Sequence, residues 1–163
     1  MTDTERVARV PRPRAGDHRP DQPTGPAAAG GPRGVAADVL LGLAVAAVMV
    51  AAVVHFDLWA DQGFRQIPTI GPLFLLDAAG GVAITVVAVA WRHWLPVLAI
   101  IGFGASTVGA FFLSVTVGLF GMHETTAGTP QLVCEIAEMA AVVLGILLLV
   151  VRGRSSRARG DTS

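Results

Sequence analysis

The stretch that decides the fold is Val35–Phe56, with the sequence VAADVLLGLAVAAVMVAAVVHF. Its only acidic or basic residues are Asp38, close to its start, and His55, close to its end. A helix of about 20 apolar residues spans the ~30 Å hydrocarbon core of a bilayer. A membrane strand would instead alternate apolar and polar residues, and this run does not. The stretch therefore predicts a transmembrane helix.

Three more apolar runs follow, and they predict helices over about residues 71–91, 94–120 and 130–151. Pro72, Pro96 and Pro130 fall in the first turns of these runs, where the missing N–H of proline costs no helical hydrogen bond. Hydrophobic residues make up 53% of the chain, and this share exceeds the usual range of a soluble domain. The sequence therefore predicts an all-α polytopic membrane protein, with a four-transmembrane-helix bundle over residues 35–151.

The arginines predict the topology. Six of them lie in residues 1–34, a Pro-rich segment with few large apolar side chains that we expect to be a disordered cytoplasmic tail. Arg92 separates the second and third helices, and four more arginines lie in residues 152–163, expected to be a basic tail. Only Arg65 lies on the opposite side. Because cytoplasmic loops are enriched in basic residues, we expect both termini to be cytoplasmic in a bacterial plasma membrane.

Several function classes lack the residues that they require. Cys134 is the only cysteine, so the chain has no internal disulfide and no CxxC redox pair. We find no nucleophile constellation, phosphate-binding loop or nucleotide fingerprint, and the topology accounts for the basic tails without nucleic acid. The sequence predicts no catalytic residue, no cofactor and no metal site, and an enzyme is not expected.

Three acidic residues stand out because they lie inside predicted membrane helices. Asp77 lies five residues after Pro72, and Glu135 lies five residues after Pro130, so both are roughly 8 Å below the starts of their helices. Glu138 is one turn deeper. The three carboxyl groups are therefore expected to share one layer in the outer half of the membrane. Intramembrane acids are costly, at about 3 kcal/mol each on insertion scales, and often functional.

The loop before the second helix offers a counter-charge. In GFRQIPTIGPLFLLD, Gly63–Asp77, two prolines and two glycines stiffen and turn the chain, so Arg65 can fold over the acids as a lid. A structural alternative is equally open, in which the acids only lock helix packing through polar neighbours and water. Weaker site candidates at the outer helix ends are His55, His123 and Glu124. Together with Glu135 they lack the ligand spacing of a known metal motif.

Each predicted helix also carries one stripe of small residues. Such residues let membrane helices approach closely, so we expect the stripes to face one another inside the bundle. The residues assigned to helix packing are Gly42, Gly81, Gly102, Ser106, Gly109 and Gly145.

One resemblance accompanies these patterns. The segments Gly63–Arg65, Ile67–Gly71 and Leu73–Phe74, followed by an acid and later by LFGMHET, resemble a GFRxIPTIGxLF-type loop. That loop is found in uncharacterised small four-helix integral membrane proteins of high-GC Gram-positive bacteria. The resemblance covers about residues 35–151. It implies a fold and a location, and it implies no chemistry.

Two functions remain open from the sequence. The first is an interaction or accessory subunit, embedded in the lipid bilayer as a homo-oligomer or beside a larger membrane protein. The alternative is a proton- or cation-coupled small carrier or sensor that uses Asp77, Glu135 and Glu138 with Arg65. A third class, an enzyme acting on lipid or quinone at the outer leaflet, has few residues to support it.

Overall fold

The computed structural model describes residues 32–118, 120 and 128–160, and it confirms the all-α fold. Its elements are α1 (Pro32–Ala60), a short 3-10 turn (Phe64–Gln66), α2 (Ile70–Ala90), α3 (Trp94–Thr116) and α4 (Thr129–Gly160). All four α-helices are long and apolar enough to cross a membrane. The chain is therefore a multi-pass membrane protein. Most of the predicted N-terminal tail, residues 1–31, lies outside the described residues.

The helix ends differ from the predicted ones for local reasons. α3 ends at Thr116, four residues before its predicted end, because Gly118 adopts a positive φ of 85° and its N–H bonds to the Leu113 carbonyl at 3.0 Å. This is a typical glycine-terminated helix end. α4 continues to Gly160, past its predicted end at Val151. The arginines and alanine of that extension favour helix, and it contains no proline.

The four helices pack in the order α2, α1, α4, α3. The most extensive contacts join α1 to α4 and α1 to α2, and α3 packs mainly against α4. The core includes small side chains that are fully buried, Ala44 and Ala51 on α1 and Ala141 on α4. Small residues allow the two backbones to approach closely. Larger side chains, Val48, Ile100 and Leu148, fill the rest of the core.

Glycine packing differs in part from the expectation. A Cβ atom at Gly81 would lie 2.8 Å from the Ala52 Cβ, and one at Gly145 would lie 2.6 Å from the Ile101 Cγ1, so both glycines are at helix contacts. The same holds for Gly104, where a Cβ would lie 2.6 Å from the Glu138 carbonyl oxygen.

The remaining small residues do not lie inside the bundle. A Cβ at Gly42, Gly102 or Gly109 would meet nothing within 4 Å, and Ser106 is exposed. The expectation that these four residues pack within the chain does not hold. On α3 the close contact is made two residues further along, at Gly104, because the helix is rotated about its axis relative to the predicted stripe.

The end of the bundle that carries the helix 2–3 connection is held by polar contacts. Asp38, in α1, forms an ion pair with Arg92. Arg152, in α4, donates from Nη1 to the His93 carbonyl oxygen at 3.2 Å. The His93 ring in turn caps α3 by accepting from the Leu95 N–H at 3.3 Å. All four helices are thus tied together at this end, away from the acids described next.

Candidate functional site

A cavity of about 110 Å³ lies among the helices near the end of the bundle where α1 ends and α4 begins. Its walls combine aromatic and aliphatic side chains with polar groups, and the polar residues are the majority. The polar groups lining it are His55, Asp77, Thr107, Ser114, Gln131, Cys134, Glu135 and Glu138. The three acids predicted to share one layer therefore line the same cavity.

His55 occupies the centre of this polar group. Its Nδ1 atom lies 2.9 Å from the Ala51 carbonyl oxygen one turn earlier in α1. Since a carbonyl oxygen only accepts, Nδ1 is assigned the proton, and Nε2 is directed to the acids. Nε2 lies 3.9 Å from Asp77 Oδ2 and 3.8 Å from Glu138 Oε1. Phe74 packs edge-on against the ring, with centroids 5.3 Å apart, and helps to fix its orientation.

Glu138 is the most deeply buried acid, with 1% of the residue exposed. Its Oε1 atom accepts a hydrogen bond from the Cys134 thiol, with Sγ at 3.3 Å. The two residues are four apart, so the helix places them on one face. The other oxygen, Oε2, is buried and has no hydrogen-bond partner among the described residues. Such an orphaned acceptor calls for an explanation, because its desolvation is uncompensated.

Other groups in the wall add acceptors. Gln131 lies one turn before Glu135 on α4, and its Oε1 atom is also buried without a hydrogen-bond partner among the described residues. Glu135 and Asp77 are half-buried. The Thr107 hydroxyl donates to the Phe103 carbonyl at 2.9 Å, within its own helix. The residues that line the cavity therefore include two with a buried oxygen that no described donor satisfies, Glu138 and Gln131.

Arg65 does not supply the missing positive charge. Its side chain is exposed on the 3-10 turn, it does not line the cavity, and it forms no ion pair with a described residue. The turn instead contributes Phe64, whose ring lies 4.9 Å from that of Phe74. Close packing of the turn requires Gly71, where a Cβ would lie 2.7 Å from the Phe64 carbonyl oxygen. The GFRQIPTIGP segment thus covers the cavity with an aromatic ring.

The sequence underrated His55 and missed Cys134 as a site residue. The sequence marks His55 only as a weaker candidate at an outer helix end, yet it is 6% exposed and central to the cluster. Cys134 could have been found from its i, i+4 spacing to Glu138. His123 and Glu124, the other weak candidates, lie outside the described residues.

The Cys134–His55 pair is not arranged as an activated nucleophile. Sγ lies 3.5 Å from His55 Nδ1, but that nitrogen donates its proton to the Ala51 carbonyl and cannot take one from the thiol. Nucleophilic catalysis requires a base within hydrogen-bond reach of the thiol. Cys134 is also buried. The arrangement suits the binding of a positively charged species better than covalent chemistry.

No protein-family model, no curated protein and no solved structure matches this chain.

Proposed function

We propose that this membrane protein binds a proton or a small cation in the cavity and acts as a cation-coupled carrier or sensor. The observation that carries the proposal is the orphaned Oε2 atom of Glu138, buried in the cavity wall beside His55 and Asp77. A carboxylate in this position requires a proton, a cation or a donor to offset its desolvation.

The surroundings of Glu138 favour the binding of an exchangeable proton or cation over a permanent contact with another side chain. The basic side chain that approaches Glu138 is His55, and its Nε2 atom lies 3.8 Å from Oε1, beyond hydrogen-bond distance. A cluster evolved only to lock helices would be expected to satisfy its buried oxygens completely, because a half-satisfied network destabilises the fold. Here the two oxygens without a described partner, on Glu138 and Gln131, belong to residues that line a cavity large enough for a water molecule or small ion.

The orientation proposed from the arginines places this cavity near the outer face of a bacterial plasma membrane. The end with Asp38 and Arg92 then faces the cytoplasm, together with both termini. A cation arriving from outside would meet Phe64 and the 3-10 turn first. A bound cation would then lie among groups from α1, α2 and α4, so its occupancy would affect how these helices pack.

Carbodiimide labelling tests the proposal. Dicyclohexylcarbodiimide reacts with protonated carboxyl groups in apolar surroundings, and mass spectrometry locates the adduct. We expect labelling of Glu138 in the purified full chain in lipid nanodiscs, slowed by a cation that occupies the cavity. Exposed Asp61 serves as the internal control and should stay unlabelled. Absence of labelling at Glu138, Glu135 and Asp77 across roughly pH 5 to 8 would overturn the proposal.

An accessory role is supported by a different observation. Gly102, Ser106 and Gly109 leave one face of α3 open, and small residues are suited to close approach by another membrane helix. The occupant would be a second copy or a larger membrane protein. Purification into nanodiscs followed by mass spectrometry tests this function, and recovery of the chain alone as a monomer would contradict it.

A further inference from the structure

We propose that His55, Cys134 and Glu138, together with Asp77, bind a divalent transition-metal ion of the zinc class. The inference rests on the proposed function and specifies its cation. One ligand atom from each of the first three residues lies within 4.8 Å of those of the other two, and all three residues are buried. The Oδ2 atom of Asp77, on α2, lies 3.9 Å from His55 Nε2.

The spacing of the donor atoms fits a small tetrahedral site. Zinc bonds of about 2.0 Å to nitrogen or oxygen and about 2.3 Å to sulfur place the ligand atoms roughly 3.3 to 3.5 Å apart. Here the Cys134 Sγ to Glu138 Oε1 distance is 3.3 Å, and His55 Nε2 lies 3.8 Å from Glu138 Oε1. Asp77 Oδ2 lies 3.9 Å from the same nitrogen. The Cys134 Sγ atom lies 3.5 Å from Nδ1 of the same ring, so ligation through Nε2 also requires a rotation of the thiol or the imidazole.

The chemistry of the donors selects the class of ion. One imidazole nitrogen, one thiol sulfur and carboxylate oxygens form a mixed set of the kind that zinc and its neighbours prefer. Calcium and magnesium favour oxygen ligands alone, and magnesium retains several waters. A sulfur donor beside a histidine therefore disfavours both ions.

His55 already has the outer partner that a ligating histidine requires. Metal-bound histidines usually donate their second ring N–H to a carbonyl or carboxylate, which fixes the tautomer and the ring orientation. The bond from Nδ1 to the Ala51 carbonyl at 2.9 Å does this and directs Nε2 toward the two acids. The ring is thus held in the orientation that metal binding through Nε2 requires.

Charge balance also favours a divalent ion. When ionised, Cys134, Glu138 and Asp77 carry three negative charges, and a divalent ion neutralises two of them. Metal binding converts the Cys134 thiol to a thiolate and releases its proton to water, so the hydrogen bond to Glu138 Oε1 is exchanged for a bond to the metal. The metal ion would then balance the negative charge of the Glu138 carboxylate, which Oε2 shares with Oε1.

Cobalt(II) spectroscopy tests the site, because the ion substitutes for zinc and absorbs light. The full untagged chain is treated with a chelator in detergent and titrated with Co²⁺. We expect visible bands of tetrahedral intensity and a near-ultraviolet band from thiolate-to-cobalt charge transfer. Cys134 is the only cysteine, so the charge-transfer band has only one possible source. Equimolar Zn²⁺ should remove all bands, whereas Mg²⁺ should leave them unchanged.

Substitutions connect the spectrum to the residues. Cys134→Ser should abolish the near-ultraviolet band, and His55→Ala and Glu138→Gln should each weaken Co²⁺ binding at least tenfold. Asp61→Asn, an exposed acid just beyond α1, is the matched control and should bind as the unsubstituted chain does. Far-ultraviolet circular dichroism verifies that each variant retains its helices.

The outcomes separate the inference from the proposed function. If Co²⁺ produces no charge-transfer band while carbodiimide still labels Glu138, the inferred metal site is refuted. The proposed function is then retained with a proton or another cation as the bound species. If the visible bands persist in His55→Ala and Cys134→Ser, the ion binds elsewhere and the site is refuted. If carbodiimide also fails to label Glu138, the proposed function falls with it.

Discussion

The Nε2 atom of His55 on α1 lies 3.8 Å from the Oε1 atom of Glu138 on α4, and both residues are almost completely buried. This pair joins the first and last helices inside the membrane-spanning part of the bundle. A buried histidine and carboxylate at this separation attract each other when charged without forming a direct hydrogen bond. A species bound in the gap between these two side chains therefore has its largest effect on the attraction between α1 and α4.

Substitutions at Glu138 distinguish a binding site from a cluster that only stabilises helix packing. Glu138→Met retains side-chain volume and removes the orphaned Oε2 atom, so we expect unchanged stability or a gain of about 1 kcal/mol. Glu138→Ala leaves a cavity and should cost about 2 kcal/mol or more. Thermal unfolding in one detergent compares both variants with the unsubstituted chain. A loss above about 1 kcal/mol in the methionine variant would favour the structural cluster.

Gly104 should tolerate no side chain. In Gly104→Ala the new Cβ would lie 2.6 Å from the Glu138 carbonyl oxygen, a backbone atom that cannot rotate away. We expect a loss of about 1 to 3 kcal/mol as α3 is pushed from α4. Gly102→Ala is the matched control, since its Cβ meets nothing within 4 Å. It should be neutral or slightly stabilising, because alanine favours helix over glycine.

The midpoint of thermal aggregation, read by size-exclusion chromatography after heating, measures both glycine variants. Equal midpoints for Gly104→Ala and Gly102→Ala would contradict the close approach of α3 to α4. A strong loss in the Gly102 variant alone would instead indicate that the open face of α3 contacts another chain.

The Asp38–Arg92 ion pair should contribute little to stability. Both side chains are more than half exposed, at 57% and 61%, so water screens their attraction. In a double-mutant cycle with Asp38→Asn and Arg92→Gln, we expect a coupling energy below about 1 kcal/mol that decreases with added salt. A coupling above about 2 kcal/mol would require a more buried pair than this one.

The proposed orientation predicts which loop a membrane-impermeant thiol reagent can reach. With Cys134→Ser as background, Gln66→Cys should be labelled in intact cells, because Gln66 is exposed on the 3-10 turn. Arg154 is exposed on the C-terminal part of α4, at the end of the bundle away from the cavity. Arg154→Cys should therefore be labelled only after the membrane is permeabilised. The reverse pattern would place the cavity on the cytoplasmic side and overturn the positive-inside assignment.

The amino-acid sequence by itself determined the four membrane helices. Long apolar runs can satisfy their backbone polar groups in lipid only as helices, so composition and length are sufficient for this prediction. Spacing along the helices also predicted that Asp77, Glu135 and Glu138 would share one depth, since the rise per residue converts sequence position directly to height. All three acids line one cavity in the structure.

Only the tertiary structure decided which groups meet in that layer. Rotation of a helix about its axis depends on packing against its neighbours, and apolar surroundings on all sides give the sequence little amphipathic pattern to reveal it. The sequence therefore predicts Gly102 on the packing face of α3 and gives His55 only a weak assignment. In the structure His55 is buried, and Gly104 makes the close approach of α3 to α4. That rotation is what brings His55, Cys134 and Glu138 together.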